Sequence, residues 1–312
     1  MAPLQINSAK RYSTATSHED RVVQLTAGDH ELLAIIDGHG GTNAADRCAQ
    51  QLAAEYREAR AGYDPHALPT RPELQRLFER LHACCLELPC HSGACLAVAV
   101  VNSRTGCYAV ANAGDALALH VTASSHFWAS TSHRLQDNAQ ERERVHVHVA
   151  HVRGQTGDEV AVGPPRLFPG GLACSRGIGD ADCPHVVCTP AICYGTLAPT
   201  HALVLASDGL WDRVTLGQIV RTTRKRRCAE SLADLLGPTT SLRDDASVIV
   251  ASYQTALRRR GLASRLGFSG SGSDDDLTST RQRPPVDFDD DLHDPPLPVR
   301  TSIAVDLDDD LP

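Results

Sequence analysis

Short apolar runs that stop at an acidic residue constrain the fold of this chain more than any other feature. The run LLAII at 32–36 continues into DGHGG at 37–41, and ALVLA at 202–206 continues into SDG. Apolar runs of roughly four to eight residues bounded by turn residues are typical of buried strands. The pattern therefore predicts strands that end by presenting a carboxylate.

Strand-like runs occur in clusters along the chain. Residues 21–26 and 31–36 flank the turn AGDH, and three more runs follow at 94–101, 107–114 and 116–121 with short turns between them. Short connections favour antiparallel pairing, because a parallel pair needs a long crossover. We therefore expect antiparallel hairpins and a meander.

Three helical segments are predicted between these clusters. Apolar residues recur at three-and-four spacing after Thr42 and again after Pro72, which indicates two amphipathic helices. A third segment is expected at 216–236. Clustered strands with paired helices predict an α+β fold in which one sheet packs on another and helices lie outside.

Composition narrows the functional classes. A net charge of -8 argues against a nucleic-acid binder, which needs a basic face. The eleven cysteines include no C-x-x-C pair, so we expect structural thiols in a reducing compartment. No leader-like start occurs and no apolar run approaches the roughly 20 residues that span a bilayer. A cytoplasmic or nuclear monomer without membrane contact is expected.

The last part of the chain has a different composition. Residues 257–312 are rich in Gly, Ser, Pro and Asp and contain few core-forming side chains. Such a segment cannot bury enough apolar surface to offset the entropy of ordering. We predict one folded domain at 1–256 and a disordered acidic tail at 257–312, which is either plainly solvated or a docking segment for a partner.

Four acidic sites lie far apart in the sequence. They are SHED at 17–20, IIDG at 35–38, ASDG at 206–209 and RDDAS at 243–247. If the adjoining strands are neighbours, the carboxylates converge and repel each other unless cations neutralise them. Oxygen ligands of this kind suit Mg²⁺ or Mn²⁺. Asp-Gly is also a common turn signal, so the pattern alone leaves a metal site and ordinary turns as alternatives.

The ordered motifs of the chain resemble the metal-dependent protein phosphatases, the type 2C serine/threonine phosphatases, and most of all their plant and protist branch. The motifs are DGHGG, VANAGDALAL, FPGGLACSRGIGDAD, LVLASDGLWD and RDDASVIVA, preceded by Glu-Asp at 19–20. The resemblance implies a central sandwich of two antiparallel sheets flanked by pairs of antiparallel helices, in four layers. It also implies phosphoserine and phosphothreonine proteins as substrates.

The resemblance further implies a set of metal ligands. Asp37 is similar to the carboxylate that bridges two Mn²⁺ or Mg²⁺ ions, with Gly38 offering a backbone carbonyl and Glu19 binding the same ion as Gly38. Asp208 and Asp244 match the two aspartates that hold the other ion. A hydroxide that bridges the ions would attack phosphorus in line.

Other positions carry roles beside the metals. Asp20 matches a residue that orients metal-bound water, and His39 matches the proposed general acid, which protonates the leaving oxygen. The family's phosphate-binding arginine falls at Ala15, so Arg11 is the substitute we consider. Ser132 stands where the family has an aspartate, so two ions are expected and a third is not supported.

The altered phosphate-binding position leaves two alternatives to a working enzyme. One is a catalytically weak or inactive pseudophosphatase that serves as a binding module. The other is a scaffold that recruits a partner through the acidic tail. Retention of the metal-binding acids favours the enzyme, because a non-catalytic copy has no need to keep mutually repulsive carboxylates.

Overall fold

The architecture is an α+β sandwich. The computed structural model describes residues 2–14, 18–62, 64, 66–124, 126–145, 152–153, 159–160 and 164–253. The predicted tail at 257–312 lies outside these residues, so the domain division at 256 stays a prediction.

Thirteen strands are assigned in the described residues. They are β1 (Leu4–Arg11), β2 (Arg21–Ala27), β3 (His30–His39), β4 (Gly93–Asn102), β5 (Cys107–Ala113), β6 (Leu117–Val121), β7 (Phe127–Ala129), β8 (Val152–Arg153), β9 (Glu159–Val160), β10 (Ile178–Gly179), β11 (Ala191–Thr196), β12 (Ala202–Ala206) and β13 (Ala246–Tyr253). The first sheet has the order β1-β13-β12-β6-β7 and the second β11-β5-β4-β3-β2, with β10 added to β4. Pairing within both sheets is antiparallel, as predicted.

Helices cover the outer faces of both sheets. They are α1 (Asn43–Ala59), α2 (Arg71–Leu86), α3 (Ala139–Arg144), α4 (Asp208–Trp211), α5 (Leu216–Lys225) and α6 (Ala229–Ala233). The pair α1 and α2 packs on the second sheet, and α4, α5 and α6 pack on the first. The expected four-layer arrangement is therefore confirmed. Among the described residues, no helix is both long and apolar enough to cross a membrane.

The side-chain alternation of β3 and β4 explains why their sequences are almost wholly apolar. In β3, Leu32 and Ile36 face the helices, whereas Leu33 and Ile35 face the first sheet. Every residue of β4 is buried in the same two-sided way. Strands covered on both faces need apolar residues at every position, so the polar alternation of a surface strand is missing.

Several elements differ from the sequence-based prediction. The edge strands β1, β7 and β11 were not predicted: polar residues interrupt LQINSAKR, β7 has only three residues, and a glycine interrupts AICYGT. The two-residue strand β10 and the helix α3 were not predicted either. The helical segment predicted at 216–236 is divided into α5, α6 and a short 3₁₀ turn, with a break at 226–228. Arg226 closes α5 in an extended conformation, which ends the helix there.

Strand register explains why distant segments meet at one end of the sandwich. In the second sheet, Ile36 pairs with Arg21 at the start of β2, and Leu96 at the start of β4 pairs with Ala113 at the end of β5. In the first sheet, Ala206 at the end of β12 lies beside the starts of β13 and β6. In the second sheet, the segment before β2 therefore lies at the same end as the segments after β3 and β5. In the first sheet, the segment before β13 lies at the same end as the segment after β12.

Gly209 tests this convergence directly. A Cβ atom on Gly209 would collide with the backbone carbonyl of Asp245, so only glycine lets the turn after β12 pack on the segment before β13. We expect Gly209→Ala to lower the free energy of unfolding by about 2 kcal/mol or more, as for overpacking in a core. Urea denaturation measures this change.

Gly217→Ala is the matched control. Gly217 lies in α5, and the first atom that a Cβ would meet is the flexible end of Arg221 at 3.7 Å. Alanine is favoured over glycine inside a helix by up to about 1 kcal/mol, so this variant should be as stable as the wild type or more so. Equal effects of the two substitutions would contradict the packing argument.

Candidate functional site

The end of β3 and the start of α4 bring two of the predicted ligands together. Asp37 continues the alternation of Leu33 and Ile35, so its side chain lies on the face that meets the first sheet. Asp208 begins α4 directly after β12, and its backbone N–H donates to Oδ2 of Asp37 at 3.4 Å. The two predicted ligands therefore meet across the two sheets.

Glu19 reaches the same region from the segment before β2. A Cβ on Gly38 would lie 2.8 Å from the carbonyl oxygen of Glu19, so the absence of a side chain at Gly38 allows this approach. The carboxylate of Glu19 accepts a hydrogen bond of 2.8 Å from the N–H of Gly41. The DGHGG loop therefore packs against the Glu-Asp segment and holds the Glu19 side chain.

Asp20, which directly precedes β2, connects the second sheet to the first through Ser207, which directly follows β12. Its side chain is buried, and Oδ2 accepts a hydrogen bond of 2.7 Å from the hydroxyl of Ser207, next to Asp208. The same hydroxyl accepts from the N–H of Ser247, two residues after Asp245. Burial raises the pKa of Asp20 to about 6, against the lowering effect of these serine contacts.

Asp115 joins the cluster without having been predicted as a site residue. It occupies the connection from β5 to β6, which passes from one sheet to the other. Carboxylate oxygens of Asp37, Asp115 and Asp208 all lie within 4.8 Å of one another. Asp244 is exposed in the segment before β13, and its charge contributes to raising the pKa of Asp208. Oxygen ligands at these distances suit a divalent metal ion.

Arg134 is the cation that pairs with this cluster among the described residues. Its guanidinium forms ion pairs with Asp208 at 2.6 Å, with Asp212 at 2.7 Å and with Asp115 at 2.8 Å. The side chain is only 19% exposed, so these pairs are partly shielded from water. One guanidinium therefore forms ion pairs with three carboxylates.

One positive charge does not neutralise the cluster. Burial, together with Asp208 and Asp20, raises the pKa of Asp37 well above its usual range. Burial and the charge of Asp115 raise the pKa of Asp208 to about 8, although Arg134 lowers it. The negative charge of these carboxylates is therefore only partly offset, and a bound cation would stabilise their ionised form.

His39 is held by a second acid. Its Nε2 lies 2.7 Å from Oδ1 of Asp180. Asp180 is buried, and its backbone has a left-handed conformation with φ of 58°. Burial lowers the pKa of His39, but the hydrogen bonds to Asp180 and Cys95 outweigh it and raise the pKa well above its usual range. The raised pKa favours the protonated imidazole at neutral pH.

The contacts of Arg11 do not support its suggested role in binding phosphate. Its guanidinium pairs with Glu230 at 2.6 Å and with Asp234 at 3.0 Å, on the helix-covered face of β1. A phosphate would have to compete with both carboxylates. Ala15 lies outside the described residues.

The sequence reasoning missed three contact residues of this site. Asp115 directly follows a predicted strand and Asp180 lies in the GIGDAD motif, so the signal that identified Asp37 applies to both. Arg134 carries no such signal, because it reaches the acids from the loop after β7. Asp180 holds the imidazole of His39, and Arg134 holds Asp115 and Asp208.

Comparison with known proteins identifies the family. A family model described as Protein phosphatase 2C matches residues 8–249. The chain belongs to the protein phosphatase 2C family. A rice relative (Oryza sativa subsp. japonica), named probable protein phosphatase 2C 68, is 30% identical over 261 residues, covering 74% of this chain and 70% of that protein. Arabidopsis thaliana probable protein phosphatase 2C 12 is 32% identical over 148 residues, covering 45% of this chain and 35% of that protein.

Solved structures show the same fold. A serine-threonine phosphatase 2C from Toxoplasma gondii aligns with a TM-score of 0.62 at 17% identity, covering 81% of this chain and 98% of that one. A C. elegans sex determining protein aligns with a TM-score of 0.67 at 19% identity, covering 80% of this chain and 65% of that one. Membership of the 2C family implies a metal-dependent serine/threonine phosphatase that acts on phosphoproteins.

The raised pKa of Asp208 predicts how pH affects the metal-free protein. Between the unfolded pKa, about 3.9, and the folded value of about 8, the folded state binds more protons than the unfolded state. Stability from this group is therefore present at low pH and lost as pH rises, by an amount on the order of 3 kcal/mol. Urea denaturation in EDTA from pH 5 to 8 measures it.

Asp208→Asn provides the comparison, because it removes the titrating group and keeps the shape. The stability of this variant should fall less between pH 5 and 8 than that of the wild type. An equal or steeper fall in the variant would contradict the assignment of the pH effect to Asp208.

Proposed function

We propose that this chain is a phosphoprotein phosphatase that uses two Mn²⁺ or Mg²⁺ ions to hydrolyse phosphoserine and phosphothreonine. The observation that carries the proposal is the convergence of Asp37, Asp115 and Asp208, whose oxygens lie within 4.8 Å of one another. Asp37 lies near the end of β3, Asp115 in the connection from β5 to β6, and Asp208 after β12. Mutual repulsion among buried acids is costly, and divalent ions offset it.

The donor set fits ions that prefer oxygen ligands. Glu19, Asp37 and the carbonyl of Gly38 would hold one ion, and Asp37, Asp208 and Asp244 the other. Mg²⁺ and Mn²⁺ favour carboxylate and carbonyl oxygens and retain some water. When bound, such ions stabilise charge on the phosphoryl oxygens and lower the pKa of the attacking water.

The protein's own residues would orient a water molecule and donate a proton. Asp20 is fixed by Ser207 at one side of the acids, where it can orient a water molecule. The raised pKa of His39 favours its protonated form, and Nε2 of its ring lies 2.7 Å from Oδ1 of Asp180. An alkoxide leaving group needs a proton near neutral pH, and His39 would donate one to the serine or threonine oxygen.

Arg134 is better placed than Arg11 to supply fixed positive charge beside the acids. Its guanidinium contacts Asp115 and Asp208, which belong to the cluster, whereas the carboxylates that pair with Arg11, Glu230 and Asp234, do not. Planar guanidinium groups bind the oxygens of carboxylates and phosphates with the same geometry. Arg134 is therefore our proposed basic residue next to the reaction centre.

The test is turnover of a phosphothreonine peptide with Mn²⁺, with Mg²⁺ or with EDTA. We expect phosphate release only with metal, and a loss of roughly 100-fold or more in Asp37→Asn and Asp208→Asn, because the ions supply several kcal/mol of transition-state stabilisation. Asp29→Asn is the matched control, since Asp29 lies in the turn before β3 and pairs with Arg104.

The same assay separates the role of His39 from that of the acids. His39→Gln should slow the peptide reaction by roughly 100-fold and p-nitrophenyl phosphate much less, because p-nitrophenolate leaves without a proton. Asp180→Asn should show the same selectivity with a smaller loss. Equal losses on both substrates would contradict the proton-donor role.

A folded protein that releases no phosphate with any ion would contradict the proposal. In that case the binding-module alternative would become the better account of the fold. The ion pairs between Arg134 and the acids would then offset part of their mutual repulsion in a non-catalytic chain.

A further inference from the structure

Two buried thiols and a carboxylate meet beside the acidic cluster. The sulfurs of Cys95 and Cys174 and a carboxylate oxygen of Asp115 all lie within 4.8 Å of one another. The three residues are 5%, 9% and 8% exposed in that order. They come from the start of β4, from a segment that pairs with Arg134, and from the β5–β6 connection.

The sheet framework holds these three groups in place. Cys95 pairs with Asp37 in the register of β3 and β4, and Cys174 forms a bridge with Arg134. Both sulfurs are thereby placed within 4.8 Å of each other and of a carboxylate oxygen of Asp115. The donors are therefore already gathered before any ion binds.

The chemistry of this group differs from that of the neighbouring acids. Thiolates select zinc and other soft divalent ions, whereas carboxylate, carbonyl and water ligands suit Mg²⁺ and Mn²⁺. Two cysteines and one aspartate give three of the four ligands of a tetrahedral zinc site and leave one position open. Zinc sites of this kind bind sulfur at about 2.3 Å and oxygen at about 2.0–2.2 Å.

Zinc binding would leave the net charge at this position unchanged. With both thiols protonated, Asp115 and Arg134 form a pair of opposite charges at 2.8 Å. Zinc would replace two thiol protons, so its two positive charges would equal the two negative charges of the thiolates that it creates. Binding that adds no net charge to a buried site avoids the cost of an uncompensated charge.

We propose that Cys95, Cys174 and Asp115 form a zinc site next to the oxygen cluster, and that zinc bound there inhibits the phosphatase. Inhibition follows from position. Cys95 lies opposite Asp37 in the register of β3 and β4, and the proposed proton donor His39 is two residues further along β3, so an ion on the Cys95 sulfur lies next to both. Zinc also engages Asp115, which pairs with Arg134. The binding part stands alone, and the inhibition part rests on the proposed function.

Cobalt(II) is the probe for binding. The full-length protein is kept reduced with a phosphine, saturated with Mg²⁺ to fill the oxygen cluster, and titrated with Co²⁺. We expect a thiolate-to-cobalt charge-transfer band in the near ultraviolet that Zn²⁺ removes on addition. Carboxylates give no such band, so the signal reports the thiols alone.

Serine substitutions locate the site. Cys95→Ser and Cys174→Ser should each weaken or abolish the band. Cys48→Ser is the matched control, because Cys48 and Cys85 form a second buried thiol pair with sulfurs 3.6 Å apart on the helix-covered side. The proposal is overturned if folded wild-type protein gives no band, or if the band is lost in Cys48→Ser and kept in the other two variants.

Zinc inhibition is measured on the same proteins, each relative to its own activity with Mg²⁺. In Cys174→Ser, the zinc concentration for half-inhibition should rise by at least about tenfold, since even loss of an outer partner of a metal ligand costs that much affinity. Equal zinc sensitivity in Cys174→Ser and wild type would overturn the inhibitory role. If the wild type has no turnover, the proposed function fails, while the cobalt band still decides the site.

Discussion

The packing of two Asp-Gly turns against two other acid-bearing segments is the constraint on which the rest of the site depends. Gly38, after Asp37, receives the backbone of Glu19, and Gly209, after Asp208, receives the backbone of Asp245. The structure shows that each allows a second chain segment to approach, and this approach brings the acids together.

The converging acids repel one another, and the fold offsets only part of this repulsion. The ion pairs of Arg134 with Asp115 and Asp208 offset some of the repulsion, yet the pKa of Asp37 and of Asp208 stays above the usual range. A cluster that is short of positive charge in the absence of metal is suited to bind divalent ions. The buried thiols of Cys95 and Cys174 beside Asp115 add sulfur ligands of the kind that zinc prefers.

The sequence could predict those features that depend on local pattern. The hairpins, the first two helices and the acids at strand ends all follow from short runs and turn residues, and the order of the motifs identified the family. The edge strand β1 was missed because its apolar residues are few, and the contacts of Arg134 and Cys174 were missed because both lie in loops brought to the acids by the tertiary fold. The spacing of residues along the chain does not indicate contacts that form only in the tertiary fold. The role suggested for Arg11 in binding phosphate stays a prediction, and its ion pairs with Glu230 and Asp234 do not support it.

The central claim is that acids from separate strands form one site for two ions, and Mn²⁺ stoichiometry with electron paramagnetic resonance tests it most directly. Two Mn²⁺ ions held about 4 Å apart share a bridging ligand and couple magnetically. We therefore expect two ions per chain and a coupled spectrum, which Asp37→Asn converts to that of isolated Mn²⁺. A single uncoupled ion in the wild type, or no bound Mn²⁺ in folded protein, would contradict the account.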